Sequence, residues 1–319
     1  MPEGLAGNPV DTGVPPCWSL LPDAVRAEVE ALAGSRLTGA TVQRNGLHPA
    51  PCVRLTFARG VRILLKCLPL DHPLLPRYRD EAAINRQLPG RVPVLRLRRA
   101  WQSGDWWLMA FHDLTGARHP ELAPGSPDLS RALALLDRLT SAATPAPLSD
   151  AAGFVDSLDQ VLGGWQYLAD IGADLEPWSA RNLDRLAATE RCWRHHGGGA
   201  TLLHADLGPD TMLLADAGDV VTDWAYPHQG AAWIEAVLFL PHLIRAGHSP
   251  QQAEHLMKAS TAWMEAPGEG LTFLAIALTG YWERASRLPT PSNAPYLRLY
   301  QAQMAVVGRA WIQHRTDWN

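Results

Sequence analysis

The strongest constraint on how this chain can fold is a change of hydrophobic rhythm near Asp113. Before it, apolar residues come in short runs: ATVQRN (40–45), CVRLTF (52–57), VRILLK (61–66), RLRRAWQ (96–102) and WWLMAF (106–111). Runs of that length, set off by turn-like ARG and Ser103–Asp105, read as strands of a small antiparallel sheet. A helix over 22–34 leads in and stops at Gly34, and one helix over 77–89 sets Tyr78, Ala82, Ile84 and Leu88 against a charged face. After Asp113 the segments SRALALLDRLTSAA, FVDSLDQVLGGWQYLADIG and ARNLDRLAATERCWRHH take a helical period, as do stretches near 230–246, 250–265, 271–287 and 296–314. The expected fold is therefore α+β and two-lobed, with a sheet lobe over 1–113 and a larger helical lobe over 114–319.

Charge divides at the same place. Residues up to Asp113 carry 14 basic and 10 acidic side chains and the remainder 14 and 22, for a net charge of -4. Nothing here makes an electrostatic footprint for nucleic acid or an anionic membrane. A positive front half suits an anionic cofactor, and a negative rear half a cationic acceptor. The longest apolar runs, 231–244 and 271–282, are too short to span a bilayer. Cys17, Cys52, Cys67 and Cys192 show neither metal-ligand spacing nor a disulfide framework, so a reduced, cytoplasmic protein is expected. Residues 1–16 lack the basic and apolar blocks of a signal peptide and read as a floppy arm. Monomer and homodimer both remain open.

The helical half is interrupted once, by TLLHADLGPDTMLLADAGDVVTDW (201–224), where two apolar runs face each other across a DAGD turn. That hairpin brings Asp206, on the loop before it, and Asp223, at its end, toward one mouth. Phosphoryl transfer uses such a pair, one carboxylate to orient the attacking hydroxyl and one to hold the metal at the nucleotide phosphates. Lysine is scarce: of 28 basic residues only Lys66 and Lys258 are lysine, and Lys66 ends a strand. A compact point charge at a strand end suits phosphate oxygens.

HADLGPDTMLL followed by TDW resembles the H-G-D-x-x-x-x-N and D-W/F pair of the aminoglycoside phosphotransferase and choline kinase superfamily, closest to its actinobacterial aminoglycoside phosphotransferase-type branch. The resemblance runs from about residue 35 to the C-terminus and implies a protein-kinase-like fold that uses ATP and Mg2+. It implies Asp206 as catalytic base, His204 as the brace of its loop, Asp223 as main metal ligand, Lys66 at the phosphates and Glu81 as partner to Lys66. WWLMAFHDLTGARHP is similar to the family's hinge, so the backbone near Phe111 to Asp113 would meet adenine. Thr211 occupies the place of the metal-binding asparagine, and its hydroxyl reaches less far than a carboxamide. Glu235 stands where an aspartate usually braces the loop, and Gly46 is the lone glycine in the expected phosphate loop.

The implied reaction moves the γ-phosphate to a hydroxyl of a small polar molecule such as an antibiotic or metabolite, and Tyr281, Trp282 and Glu283 are candidates to line the acceptor pocket. Two alternatives stand beside it: a kinase of Ser or Thr in a natural-product peptide, and a pseudokinase that binds nucleotide or a partner without turnover. The aromatic residues, among 13 tryptophans, are read as core, and His195 and His196 as a helix end before Gly197.

Overall fold

The computed structural model describes residues 17–43, 52–114, 116–291 and 294–318. The N-terminal arm and the loop holding Gly46 lie outside the described residues. In chain order the first part comprises α1 (Cys17–Leu20), α2 (Asp23–Ala33), β1 (Leu37–Gln43), β2 (Cys52–Phe57), β3 (Arg62–Pro69), α3 (Leu75–Gln87), β4 (Leu97–Ser103) and β5 (Trp106–His112). The second part begins with α4 (Leu129–Ala142), α5 (Phe154–Leu158), α6 (Gly164–Asp170) and α7 (Pro177–Thr189). Four short strands follow, β6 (Thr201–Leu203), β7 (Met212–Leu213), β8 (Val220–Val221) and β9 (His228–Gly230). The chain closes with α8 (Trp233–Arg245), α9 (Pro250–Met257), α10 (Thr261–Met264), α11 (Gly268–Ala285) and α12 (Leu297–Thr316).

The two-lobed α+β architecture expected from the sequence is present. The five strands of the first part form one antiparallel sheet in the order β1-β2-β3-β5-β4. It departs from a simple meander, because α3 carries the chain past β5 and β4 becomes the edge. Strand alternation explains the lobe's two cores. Ile63, Leu65 and Cys67 face Val25 and Val29 of α2, whereas Leu64 and Leu68 face Tyr78 and Ala82 of α3. Lys66 shares the second face, toward α3 and the helical half. Cys67, buried on β3, is disulfide-bonded, contrary to the expectation of four reduced thiols. Sequence spacing carries no information about which thiols meet in space.

The helical half packs around α11, whose contacts with α6 and α12 are closest at glycine. A Cβ built on Gly164 would lie 2.0 Å from the main chain of Gly280, so the two backbones touch there and no side chain fits between. The Nε1–H of Trp165 donates to the Ile276 carbonyl (2.8 Å), and Glu190 accepts from the backbone N–H of Trp165 and Gln166 at the start of α6. Two expected helices divide. The run from 154 to 172 breaks into α5 and α6, and the run from 250 to 265 breaks at Ser260, whose hydroxyl caps α10. Among the described residues, no helix is long and apolar enough to cross a membrane.

Candidate active site

Two backbone bonds pin the hairpin of the second part to the segment that leads into β4 of the first: Leu95 N–H donates to the Val221 carbonyl (3.1 Å) and Val221 N–H donates to Pro93 (2.8 Å). Within the second part, Arg118 and Leu214 exchange backbone bonds (3.1 and 2.8 Å) beside the hairpin. The β7–β8 pair, with Met212 opposite Val221, is therefore held under the sheet, and the residue after β8 but one is Asp223. Its backbone is left-handed (φ 62°), a conformation disfavoured for any residue with a Cβ. The side chain leaves the hairpin toward β3, where it forms an ion pair with Lys66. Its other oxygen accepts from the Thr222 hydroxyl (2.7 Å).

Lys66 thus joins both halves. Its ammonium donates to Glu81 of α3 at 2.7 Å, and the rings of Phe111 and Tyr78 lie 5.4 and 5.8 Å away. Burial opposes the charge on this lysine, but Asp223 and Glu81 outweigh it and hold its pKa well above the ordinary lysine value. Burial pushes the neighbouring Tyr78 phenol up as well. A cavity of about 260 Å³ opens here, lined by Lys66, Glu81, Phe111, Thr222 and Asp223, with Arg54, Arg118 and Asp210 around it.

Asp206 lies on the loop between β6 and β7 and is exposed, outside the lining of that cavity. Its loop is built by backbone capture. The buried Glu235 of α8 accepts from the N–H of His204 (2.6 Å) and Ala205 (3.0 Å), and Ala205 is also left-handed (φ 63°). His204, 1% exposed, bonds through Nε2 to the Thr222 carbonyl (2.8 Å) and meets the Trp224 ring edge-on. The tie from the loop to the segment of Asp223 therefore runs through the imidazole.

The Thr211 hydroxyl does not face the cavity. Thr211 is 1% exposed, and its hydroxyl closes the turn before β7, accepting from Gly208 N–H (3.0 Å) and donating to the Gly208 carbonyl (3.1 Å). Asp210, one residue earlier, is the member of that loop on the cavity wall. Asp113 forms an ion pair with Arg54 (2.7 Å), which lines the cavity, and its buried Oδ2 has no hydrogen-bond partner among the described residues. Arg54, Arg118 and Asp210 carry no sequence signal of their own. They reach the cavity only through strand register and the Arg118–Leu214 pairing. Of the acceptor candidates, Trp282 belongs to the core, and Glu283 is committed to ion pairs with Arg287 and Arg309. Burial raises the pKa of the Tyr281 phenol, and the charge of Asp206 adds to that rise.

No family model and no curated protein matches the sequence. Solved structures do match in fold. Choline kinase LicA from Streptococcus pneumoniae superposes with a TM-score of 0.60 at 10% identity, covering 89% of this chain and 97% of that one. A choline/ethanolamine kinase family protein from Mesorhizobium loti gives 0.58 at 15% identity, with 93% and 96% covered. The amicoumacin kinase hAmiN, solved in complex with AMP-PNP, Ca2+ and Ami, gives 0.53 at 12% identity, with 89% and 93% covered. The fold shared with these proteins is the kinase-like fold of small-molecule phosphotransferases.

Proposed function

We propose that this chain, built on the fold of choline and antibiotic kinases, is a phosphotransferase that moves the γ-phosphoryl group of ATP to a hydroxyl of a small polar molecule. The observation that carries this reading is the ion-paired set Glu81–Lys66–Asp223, contributed by both halves of the chain and lining one cavity. A buried cation between two carboxylates is destabilising to leave unpaired. This arrangement is suited to a ligand that brings its own anions and a counter-cation. Residues 1–113 would hold the nucleotide, near Phe111 and Asp113, and residues 114–319 the acceptor.

The donor set fits a hard divalent cation. Asp223 and Asp210 present carboxylate oxygens on the same cavity, whereas the Thr211 hydroxyl is turned into its loop. When bound, magnesium would neutralise phosphate charge. Lys66 would bind phosphate oxygens, with Glu81 holding its direction. Asp206 would take the proton of the acceptor hydroxyl, His204 and Glu235 keeping its loop in place. As the hydroxyl oxygen bonds to the γ-phosphorus, the bond from phosphorus to the ADP oxygen breaks, and most of the acceleration comes from positioning.

Incubation with ATP, magnesium and an acceptor library should yield a phosphorylated product by mass spectrometry. Asp206→Asn should retain the fold and lose roughly 10²–10⁴-fold in turnover. Turnover equal to that of the native chain would remove Asp206 from its role. The buried hydroxyl of Thr211 favours one competing reading, a nucleotide-binding pseudokinase. Calorimetry separates the two: nucleotide affinity indifferent to magnesium, with no product from any acceptor, would select the second.

A further inference from the structure

The cavity holds a second cation on the wall supplied by the sheet. Arg54 of β2 pairs with Leu64 of β3, and Leu64 pairs with Phe111 of β5, so these three residues share the sheet face that carries Lys66. Their row crosses β3 two residues before Lys66, roughly 7 Å along the strand. All of them line the cavity, together with the apolar Leu95 and Leu213. With phosphates gathered at Lys66, this row is the part of the cavity left for a planar, mostly apolar base.

The guanidinium of Arg54 is held from behind. Its Nε donates to Oδ1 of Asp113 (2.7 Å), whose side chain is 2% exposed. Oδ2 of that aspartate is buried and has no partner among the described residues, so the pair falls short of the two-bond fork that arginine and a carboxylate form when they only brace one another. Nη1 and Nη2 of Arg54 likewise have no partner among the described residues, and the side chain keeps 27% of its surface exposed. Arg118, the other arginine on the cavity wall, commits both of its Nη atoms to Asp128.

Two adjacent N–H donors discriminate between purines. Guanine presents O6 and N7 side by side, both acceptors, whereas adenine presents N7 beside an N6 amino group, itself a donor. A guanidinium fork therefore pairs twice with guanine but sets one of its donors against the amino group of adenine.

Resting on the phosphotransferase reading above, we infer that Arg54 reads the O6 and N7 edge of guanine, so that GTP is preferred to ATP as the phosphoryl donor. Lys66 and the metal meet the same phosphates in both nucleotides, and ATP remains the weaker donor. The bonds made and broken are unchanged: the acceptor oxygen bonds to the γ-phosphorus, the bond from phosphorus to the GDP oxygen breaks, and Asp206 takes the proton. Arg54 fixes only the choice of base.

The test is calorimetry on the full chain with magnesium and no acceptor, using GTP, ATP, ITP and 7-deaza-GTP as probes. GTP should bind about fivefold to a hundredfold more tightly than ATP. ITP keeps O6 and N7 and lacks the N2 amine, so it should rank with GTP. The 7-deaza compound lacks one of the two acceptors and should fall toward ATP. Arg54→Lys keeps a charge beside Asp113 and loses the fork, so it should bring GTP and ATP within about twofold of each other. Where transfer occurs, the preference should appear in the nucleotide KM and leave kcat unchanged. The ranking on the native chain decides the matter whether or not the variant folds. ATP binding as tightly as GTP, ITP ranking with ATP, or a GTP preference retained in folded Arg54→Lys overturns the inference. Phosphate transfer from ATP in preference to GTP also overturns it while leaving the phosphotransferase reading intact. A GTP preference with no transfer to any acceptor does the reverse.

Discussion

Glu235 shows how one buried side chain can set both a loop and a pH profile. It holds His204 and Ala205 by their backbone N–H groups, and burial raises its pKa to about 7. An acid raised in the folded state contributes stability that is complete below its unfolded value near 4.5 and is lost as pH rises toward 7. The loss amounts to roughly 3 kcal/mol. His242 has the opposite sign, because burial lowers its pKa from 6.5 to about 4, so its contribution is lost as pH falls through that window. The two slopes offset one another in the native chain. Glu235→Gln should remove one of them, so that the variant's stability rises from pH 4.5 to 7 relative to the native protein. Urea unfolding midpoints across that range are the measurement, and a constant difference between the two proteins would show that Glu235 does not titrate there.

At the scale of elements, the contact of α6 with α11 determines how the helical half closes. Gly164 and Gly280 bring the two backbones together, and a Cβ on Gly280 would lie 2.6 Å from the ring of Trp165. Backbone cannot yield as a flexible side chain can, so Gly164→Ala should force the helices apart and destabilise the fold by about 1–3 kcal/mol. Chemical denaturation reads this directly, with Gly268→Ala as the control, because a Cβ there meets nothing within 4 Å. The same residues show the limits of periodicity. The run from 154 to 172 reads as one helix because its apolar spacing is continuous, but Glu190, from a later segment, caps a new helix at Gly164. A cap supplied from 25 residues away leaves no local trace.

For the molecule as a whole, Lys66, Glu81 and Asp223 couple the sheet to the helical half, and any ligand that takes over the charge of Lys66 acts on both. A nucleotide that binds only the folded chain stabilises it by RT ln(1 + [L]/Kd), about 2.7 kcal/mol at a hundredfold excess over Kd. ATP with magnesium should therefore raise Tm by several degrees, and Lys66→Met should abolish most of that shift. An equal shift in the variant would place the nucleotide elsewhere.

Much of this could be read from the chain alone because the physics is local. Strand alternation put Lys66 on the face opposite Ile63 and Leu65, helical period separated the two halves, and the spacing from His204 to Asp223 marked the hairpin and its two carboxylates. What tertiary structure alone decided depends on partners remote in sequence. Asp210 rather than Thr211 reaches the cavity because a hydroxyl bond to Gly208 closes the turn inward, and Glu283 is withdrawn from any acceptor by Arg309 on the last helix and Arg287 in the segment before it. Net charge located the acids of the helical half but not their counter-ions. Only the packing shows which guanidinium groups meet those acids, as Arg118 meets Asp128 and Arg131 meets Asp219, since an ion pair is settled by distances that composition does not contain.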